Sequence, residues 1–258
     1  MESKILRLLQ KPVPMGRLLF VGWLLLTGVM PLSADAYQDG RDFLDHATEG
    51  LFNEILSRSA LRELLDRSLL SFEQMEDACQ RDYWRAQAAY LYGFVEQGEG
   101  RLKEAERRFT EGFQLAERAL RCGEFSDGFR LLADTQAQLL MYNGMLYKMQ
   151  YGPTVREFAE KALELDPGNI KAKLNLALYY KNAPAIAGGN ETTARQILHE
   201  IEQISGLEPL DRFSVNVWLG ISYAESKNAS KAREYIVRAQ EIFPGNTWLQ
   251  EIITEYSL

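Results

Sequence analysis

Residues 213–244 read FSVNVWLGISYAESKNASKAREYIVRAQEIFP, and they carry the clearest spacing pattern in the chain. Counted from its first residue, positions 7, 8, 11, 20, 27 and 32 are Leu219, Gly220, Tyr223, Ala232, Ala239 and Pro244. Leu219 and Tyr223 lie four residues apart and therefore share one face of a helix. Gly220 and Ala232 would sit where two helices approach most closely, since larger side chains would push the backbones apart. The pattern predicts two antiparallel helices joined by a short polar turn.

This spacing is that of the tetratricopeptide repeat, a two-helix unit of roughly 34 residues. The chain resembles the tetratricopeptide-repeat superfamily over about residues 86–244, and the last repeat matches it best. Such a unit cannot bury its apolar face alone and has to stack on its neighbours. The resemblance implies an all-α fold, a right-handed α-solenoid of stacked antiparallel helix pairs with about four repeats plus capping helices. It also implies a binding protein rather than a catalyst.

The tripeptide Pro-Gly-Asn, found at 244–246, occurs a second time at 167–169. The two prolines are 77 residues apart, whereas two repeats would span about 68 residues. The difference predicts inserted residues, most of them in 183–189. In the repeat before Pro167 we expect a first helix from about residue 127 to residue 149, broken at Tyr151-Gly152-Pro153 because proline disrupts helix interiors.

The expected domain organisation has four parts. They are a signal peptide over 1–36, an N-terminal helical hairpin or cap over 37–80, the repeats over 81–244, and a C-terminal capping helix over 245–258. A terminal helix of such an array needs a polar outer face because nothing stacks on it.

The N-terminal segment has the pattern of a secretory signal peptide. Four basic residues precede an apolar run from Leu18 to Leu32, and small residues stand at the −3 and −1 positions of a cleavage site after Ala36. The run is shorter than the ~20 residues of a membrane-spanning helix. We therefore expect a periplasmic or secreted protein with no stable membrane span after cleavage; the alternative is an inner-membrane signal anchor. Met15 is an alternative start to Met1.

The net charge limits the classes of partner that the protein can bind. Removal of residues 1–36 leaves 25 basic and 34 acidic side chains, a balance that is unfavourable for binding nucleic acid or anionic membranes.

Cys79 and Cys122 are the only cysteines. After export they could form a disulfide, and the alternative is a pair of buried thiols. We expect both near the C-terminal ends of successive second helices.

No convincing catalytic or metal-binding constellation is present in the sequence, and no cofactor is implied. His199-Glu200 begins like a zinc-protease motif, but Gln203 stands where the second histidine is needed. His46 is the other histidine, and we interpret it as a surface or packing residue. We therefore expect that the protein is not an enzyme.

By resemblance, positions 2, 5, 9 and 12 of each first helix line the concave face of the array. Positions 5 and 9 are apolar or aromatic in the three clearer repeats, so a clamp of lysines and asparagines for a C-terminal carboxylate is absent. The predicted partner groove consists of Tyr90, Phe94, Leu174, Leu178, Lys181, Val217 and Ile221. An apolar groove could hold an amphipathic helix or an extended hydrophobic ligand; the alternative is that these residues are core.

A second candidate contact is Gly188-Gly189-Asn190 in the inserted segment. The backbone amides of a glycine pair before a helix could hold an anion. The alternative is a turn in which Asn190 caps the following helix.

Two functions from different classes are compatible with the sequence. The first is an exported, non-catalytic scaffold that mediates protein–protein interaction through the groove or through the segment 183–190. The second is a carrier of a small hydrophobic ligand, or an accessory component of a periplasmic TRAP-type transport system, to which the chain is similar only in export and helical content. The sequence names no particular partner and leaves the oligomeric state open.

Overall fold

The computed structural model describes residues 32–258, and this part of the chain contains α helices and one short 3-10 turn but no strand. The all-α prediction is therefore confirmed. The helices are α1 (Leu32–Phe52), α2 (Arg58–Glu73), α3 (Ala78–Gly98), α4 (Leu102–Leu120), α5 (Ser126–Tyr142), α6 (Met145–Leu165), α7 (Ile170–Asn182), α8 (Glu191–Glu202), α9 (Pro209–Glu225), α10 (Ala229–Ile242) and α11 (Thr247–Tyr256), with the 3-10 turn at Ala185–Ala187.

The helices form five consecutive pairs, α1/α2, α3/α4, α5/α6, α7/α8 and α9/α10. The first helices of neighbouring pairs also touch, α3 with α5, α5 with α7 and α7 with α9, while α11 packs against α9 and α10. The arrangement is the expected solenoid of stacked helix pairs, and α11 covers its C-terminal end.

Glycine permits the closest helix approach within two of the pairs. A Cβ atom on Gly93 would lie 2.4 Å from the ring of Phe109, and one on Gly220 would lie 2.7 Å from Ile236 Cδ1. Both glycines hold position 8 of their repeats. The sequence pattern and the packing agree because interiors leave no space for an extra carbon at these crossings.

The repeat built from α5 and α6 differs from the sequence prediction. Its first helix ends at Tyr142, earlier than expected, because Asn143 is extended (φ −114°, ψ 154°) and cannot continue a helix. Pro153, which we expected to break the helix, lies inside α6. An interior proline costs one backbone hydrogen bond, but core contacts hold α6 on both sides of it, through Tyr147 and Val155. The prediction was wrong because it ignored these contacts.

The two ends of the array touch. Asn246 Nδ2 donates to the Phe52 carbonyl over 3.1 Å, across 194 residues of sequence, and Thr247 Oγ1 donates to Glu54 Oε1 over 2.9 Å. The ring centroids of Phe52 and Phe243 are 6.0 Å apart. We call these interactions the end-to-end contact. They show that the stack coils far enough for its last turn to reach its first hairpin.

Most of the expected signal peptide lies outside the described residues. Residues 32–36 are its described part, and they begin α1, with Ala36 buried. No helix within 32–258 combines the length and the apolar character that a membrane crossing requires.

Candidate interaction surfaces

Three of the predicted groove residues are core. Leu174 is buried between α7, α8 and α9, whereas Val217 and Ile221 are buried between α9, α10 and α11. Position 5 of both repeats and position 9 of the last repeat therefore face neighbouring helices instead of an open groove.

The aromatic pair of the predicted groove forms an edge-to-face cluster. The rings of Tyr90 and Phe94 are 5.0 Å apart, and each also packs against Phe109 of α4, at 5.8 and 5.4 Å. Burial raises the pKa of the Tyr90 hydroxyl well above its usual range, and the nearby Asp134 carboxylate adds to the shift. Both rings are half-buried.

Lys181 holds three helices together. Its Nζ lies 3.2 Å from Glu191 Oε2 on α8 and also pairs with Glu225 on α9, which leaves the side chain 4% exposed. Leu178, one turn earlier on α7, is half-buried. Six of the seven predicted residues thus divide into core, an aromatic cluster and an ion-paired lysine, and Leu178 belongs to none of these groups.

The first helices instead bring four charged residues together, Arg130, Asp134, Lys171 and Asp211, which we call the inner cluster. Arg130 Nη1 donates to Asp134 Oδ2 over 2.6 Å, and Arg130 Nε lies 3.5 Å from Asp127 Oδ1. Burial alone would lower the pKa of Arg130, but the Asp134 carboxylate and its other neighbours raise it. The buried guanidinium therefore stays charged.

Uncharged side chains of α3 and α7 complete the surroundings of Arg130. Gln87 Oε1 accepts from Arg130 Nη1 over 3.4 Å, and Gln87 Nε2 donates to Tyr83 OH over 2.8 Å. Asn175 Nδ2 donates to the Arg130 carbonyl over 3.2 Å. The network joins three successive first helices and fixes the position of the positive charge.

Asp211 is the acid of the inner cluster that receives no hydrogen bond from the rest of the described chain. The residue is 6% exposed, and no residue of the described chain donates a hydrogen bond to its carboxylate. Burial raises the pKa of Asp211; Lys171 opposes the shift and Glu208 adds to it. The Asp211 oxygens are not among the fully buried side-chain atoms that lack a partner, so they keep access to water. That access limits the cost of the missing protein donors.

The second half of the array leaves part of α6 uncovered. α6 has 21 residues, whereas α7, the helix of the next pair that packs against it, has 13. Four apolar side chains at the start of α6 and the end of α5 are exposed; we call this group the α6 overhang, and its members are Met141, Met145, Leu146 and Met149.

The inserted segment 183–190 forms a compact turn ahead of α8. The backbone N–H groups of Gly188, Gly189 and Asn190 all donate within the segment or to α7, over 2.7 to 3.0 Å, so none is available to an anion. A Cβ atom on Gly189 would lie 1.8 Å from the Ala183 carbonyl oxygen, which explains the glycine. Asn190 caps α8, and Ile186 at the tip is 99% exposed.

The two cysteines form a disulfide with Cα atoms 6.2 Å apart, as the geometry of the bond requires. Cys79 is the second residue of α3, and Cys122 follows the end of α4. The bond therefore joins the two open ends of one hairpin. The expected location, on successive second helices, was wrong because Asp77 caps α3 and so starts that helix before Cys79.

The two histidines have different surroundings. His199 Nδ1 lies 2.9 Å from Glu202 Oε2, and its Nε2 lies 3.0 Å from Tyr223 OH, so the ring bridges α8 and α9. His46 is exposed on α1. The described residues contain no group of three or more side chains placed to hold a metal ion.

Two shallow depressions lie on outer helices. One follows α4 from Lys103 to Gln114, and the other follows α10 from Ser230 to Arg238. Charged and polar side chains line both of them almost entirely, so neither suits an apolar ligand.

The sequence analysis did not predict the inner cluster, although the sequence contains one of its ion pairs, Arg130 with Asp134. Arg130 and Asp134 are an i,i+4 pair of opposite charge, a common helix-surface pattern. Lys171 and Asp211 join them only once the registers of α7 and α9 are known, because each lies about 40 residues further along the chain.

Comparison with known proteins supports the fold. No family model and no curated protein matches the chain. Among solved structures, TTC0263, a thermophilic TPR protein of Thermus thermophilus, superposes with a TM-score of 0.54 at 16% identity, over 86% of this chain and 98% of that one.

Two further structures are less similar in shape. YrrB, described as a TPR protein with an unusual peptide-binding site, gives a TM-score of 0.37 at 18% identity, over 86% of this chain and 97% of that one. PilF of Pseudomonas aeruginosa gives 0.36 at 16% identity, over 86% and 99%. At these identities the likeness concerns the fold alone, and it is the likeness to the Thermus protein that carries it: the chain has the tetratricopeptide-repeat fold.

Proposed function

We propose that the protein is a non-catalytic scaffold that binds a segment of a partner protein at the inner cluster. The observation that carries the proposal is Asp211, a largely buried residue beside Lys171 whose carboxylate oxygens keep access to solvent and receive no hydrogen bond from the described chain. A partner that donates hydrogen bonds, through a basic side chain or backbone amides, would satisfy this group. The cost in stability would then be offset on binding.

The remaining charges would orient the partner. Arg130 is fixed by Asp134 and Gln87, and Lys171 is exposed at the edge of the cluster. A surface that offers both signs of charge favours one direction of a bound segment, because the reversed segment would place like charges together. This recognition differs from the apolar groove expected from the sequence.

We further propose that the scaffold is exported. The signal-peptide pattern of residues 1–36 supports this location, and so does the disulfide, since such bonds persist in oxidising compartments. N-terminal sequencing of the protein from a periplasmic fraction is expected to start at Tyr37. A membrane-bound product that still carries Met1 or Met15 at its N-terminus would support the signal-anchor alternative instead. The hydrophobic-carrier alternative gains no support from the polar depressions.

A pull-down from envelope extracts tests the scaffold. The bait is the full chain as wild type and as Asp211→Asn, which keeps the shape of the side chain and removes its charge. The matched control is Asp39→Asn, an exposed acid on α1. We expect the wild type and the control to recover the same partner and Asp211→Asn to recover much less. Failure of the wild type to recover any partner, or equal recovery by Asp211→Asn, would count against the proposal.

A further inference from the structure

The α6 overhang is a surface that the proposed scaffold function does not use. Twelve large apolar side chains are exposed among residues 36–258, and five of them fall between Met141 and Tyr151. The exposed fractions are 64% for Met141, 72% for Met145, 84% for Leu146 and 70% for Met149. An apolar surface of a few hundred Å² is about the largest that monomeric proteins usually expose, and such surfaces mark sites of association.

The overhang is an ordered ridge with a fixed underside. Tyr147 joins the core cluster beneath α6, its hydroxyl accepts from Gln136 Nε2 over 3.2 Å, and its ring lies 4.5 Å from that of Tyr151. Successive residues of a helix are rotated by about 100°, so Met145 and Met149 point away from Tyr147. A surface that is already ordered loses little conformational entropy when it associates.

We propose that the α6 overhang is a dimerisation surface, which packs against the same overhang of a second copy of this chain. Two copies repel each other, since each carries a net charge of −7. Residues 135–156 contain no acidic residue, and their charges are those of Lys148 and Arg156. Copies that meet through these residues of α5 and α6 bring none of their own carboxylates together, and the nearest acid named in the structure is Glu106 of α4, which accepts from Asn143 Nδ2 over 3.3 Å at the edge of the patch.

The shape of the ridge fits a two-fold symmetric contact. Such an interface uses the same patch on both copies and therefore needs a patch that complements itself. In an antiparallel pair of α6 helices with the two-fold axis at the level of residue 147, Met145 of one copy would face Met149 of the other. Methionine adapts to such contacts because its side chain is unbranched and flexible. Four side chains fall short of the ~800 Å² per partner of a standard interface, so the dimer is weak.

Sedimentation velocity of the full chain over a concentration series tests this. The wild type is expected to shift from monomer to dimer as concentration rises. Met145→Glu combined with Met149→Glu places carboxylates in the contact and is expected to raise the dissociation constant about tenfold or more. The matched control, Leu70→Glu, changes a 60% exposed apolar residue of α2 and is expected to dimerise like the wild type.

Circular dichroism checks that each variant keeps its helical content, as expected for side chains that are about 70% exposed. Should the double variant fail to fold, Leu146→Gln tests the same contact without adding charge. A wild type that stays monomeric at every concentration overturns the proposal, and so does a folded variant that dimerises like the wild type. Neither result bears on the inner cluster, so the two proposals can fail separately.

Discussion

At residues 166–169 and 243–246 the chain makes the same kind of turn twice. Asn169 and Asn246 each cap the helix that follows, α7 and α11, by accepting a hydrogen bond from the amide three residues ahead. Their side-chain N–H groups have different partners. Asn169 Nδ2 donates to Ser126 Oγ and Asp127 Oδ1 on the neighbouring first helix, whereas Asn246 Nδ2 donates to a backbone carbonyl of the first hairpin.

The local sequence therefore determines the turn and its helix cap. The curvature of the stack determines which group accepts the hydrogen bond from the asparagine Nδ2. Asp127, which Asn169 contacts, lies beside Arg130 of the inner cluster. The turn at 166–169 therefore supports the candidate site, whereas the turn at 243–246 supports the end-to-end contact.

The largest expected effect on stability comes from the disulfide Cys79–Cys122, which lies within one hairpin and involves neither turn. It gives a reference against which the two turns can be compared. Replacement of both cysteines, Cys79→Ser with Cys122→Ser, is expected to lower the free energy of unfolding by about 3–4 kcal/mol, because the bond closes a loop of 43 residues. Urea unfolding of the oxidised wild type and the variant measures this. Equal midpoints would show that the disulfide does not restrict the unfolded chain as assumed.

The two asparagines are expected to differ in the next largest effect. Asn169→Ala removes a helix cap worth about 1 kcal/mol, and its other partners can turn to water. Asn246→Ala removes a cap as well and leaves the Phe52 carbonyl without its donor, so we expect a total loss of about 2–3 kcal/mol. Thermal or urea unfolding compares the two variants directly. Equal losses would mean that the end-to-end contact contributes nothing beyond the cap.

The glycines of the two turns, Gly168 and Gly245, allow the same comparison through variants that are expected to change stability less. A Cβ atom on Gly245 would lie 2.9 Å from the backbone oxygen of Asn53, whereas one on Gly168 would approach only the side chain of Asp166. We expect Gly245→Ala to cost about 1–2 kcal/mol through displaced backbone, and Gly168→Ala to cost less than about 0.5 kcal/mol. A Gly168→Ala variant that is the less stable of the two would contradict the assignment of the end-to-end contact.

The last expected effect lies in the inner cluster, and it has the opposite sign. Folding raises the pKa of Asp211 through burial, so its cost to the folded state is present above the folded pKa and is lost as pH falls below the unfolded value. Asp211→Asn is therefore expected to increase the free energy of unfolding by about 1 kcal/mol at neutral pH. Urea midpoints at neutral and acidic pH, with Asp39→Asn as control, measure the change. An advantage that persists in acid would point to a cause other than charge.

Spacing alone predicts the features that depend on contacts within one helix pair. The position-8 glycines, the Asn190 cap and the stacked architecture all follow from distances of a few residues along the chain. The predicted helix break at Pro153 was wrong because tertiary contacts of Tyr147 and Val155 hold α6 together on both sides of the proline. The predicted location of Cys79 at the end of a second helix was wrong because the start of α3 depends on a single capping aspartate, Asp77.

Features that depend on several helix pairs could not be predicted in the same way. The inner cluster needs the relative registers of α5, α7 and α9, and an error of one residue in any of them would turn Lys171 or Asp211 to another face. The end-to-end contact depends on small rotations between successive pairs that add up along the whole array. The α6 overhang results from a difference in length between two helices, and the misplaced boundary of α5 concealed it.

The end-to-end contact also changes how the molecule is expected to come apart. In a linear repeat array each unit is stabilised by its nearest neighbours, so the terminal units have one neighbour each and fray before the rest. Here the turn after α1 and the start of α11 have each other as additional neighbours. Opening either terminus requires breaking contacts at both, which links the two ends thermodynamically. The repeats are thereby expected to unfold as a single cooperative unit instead of unzipping from the termini.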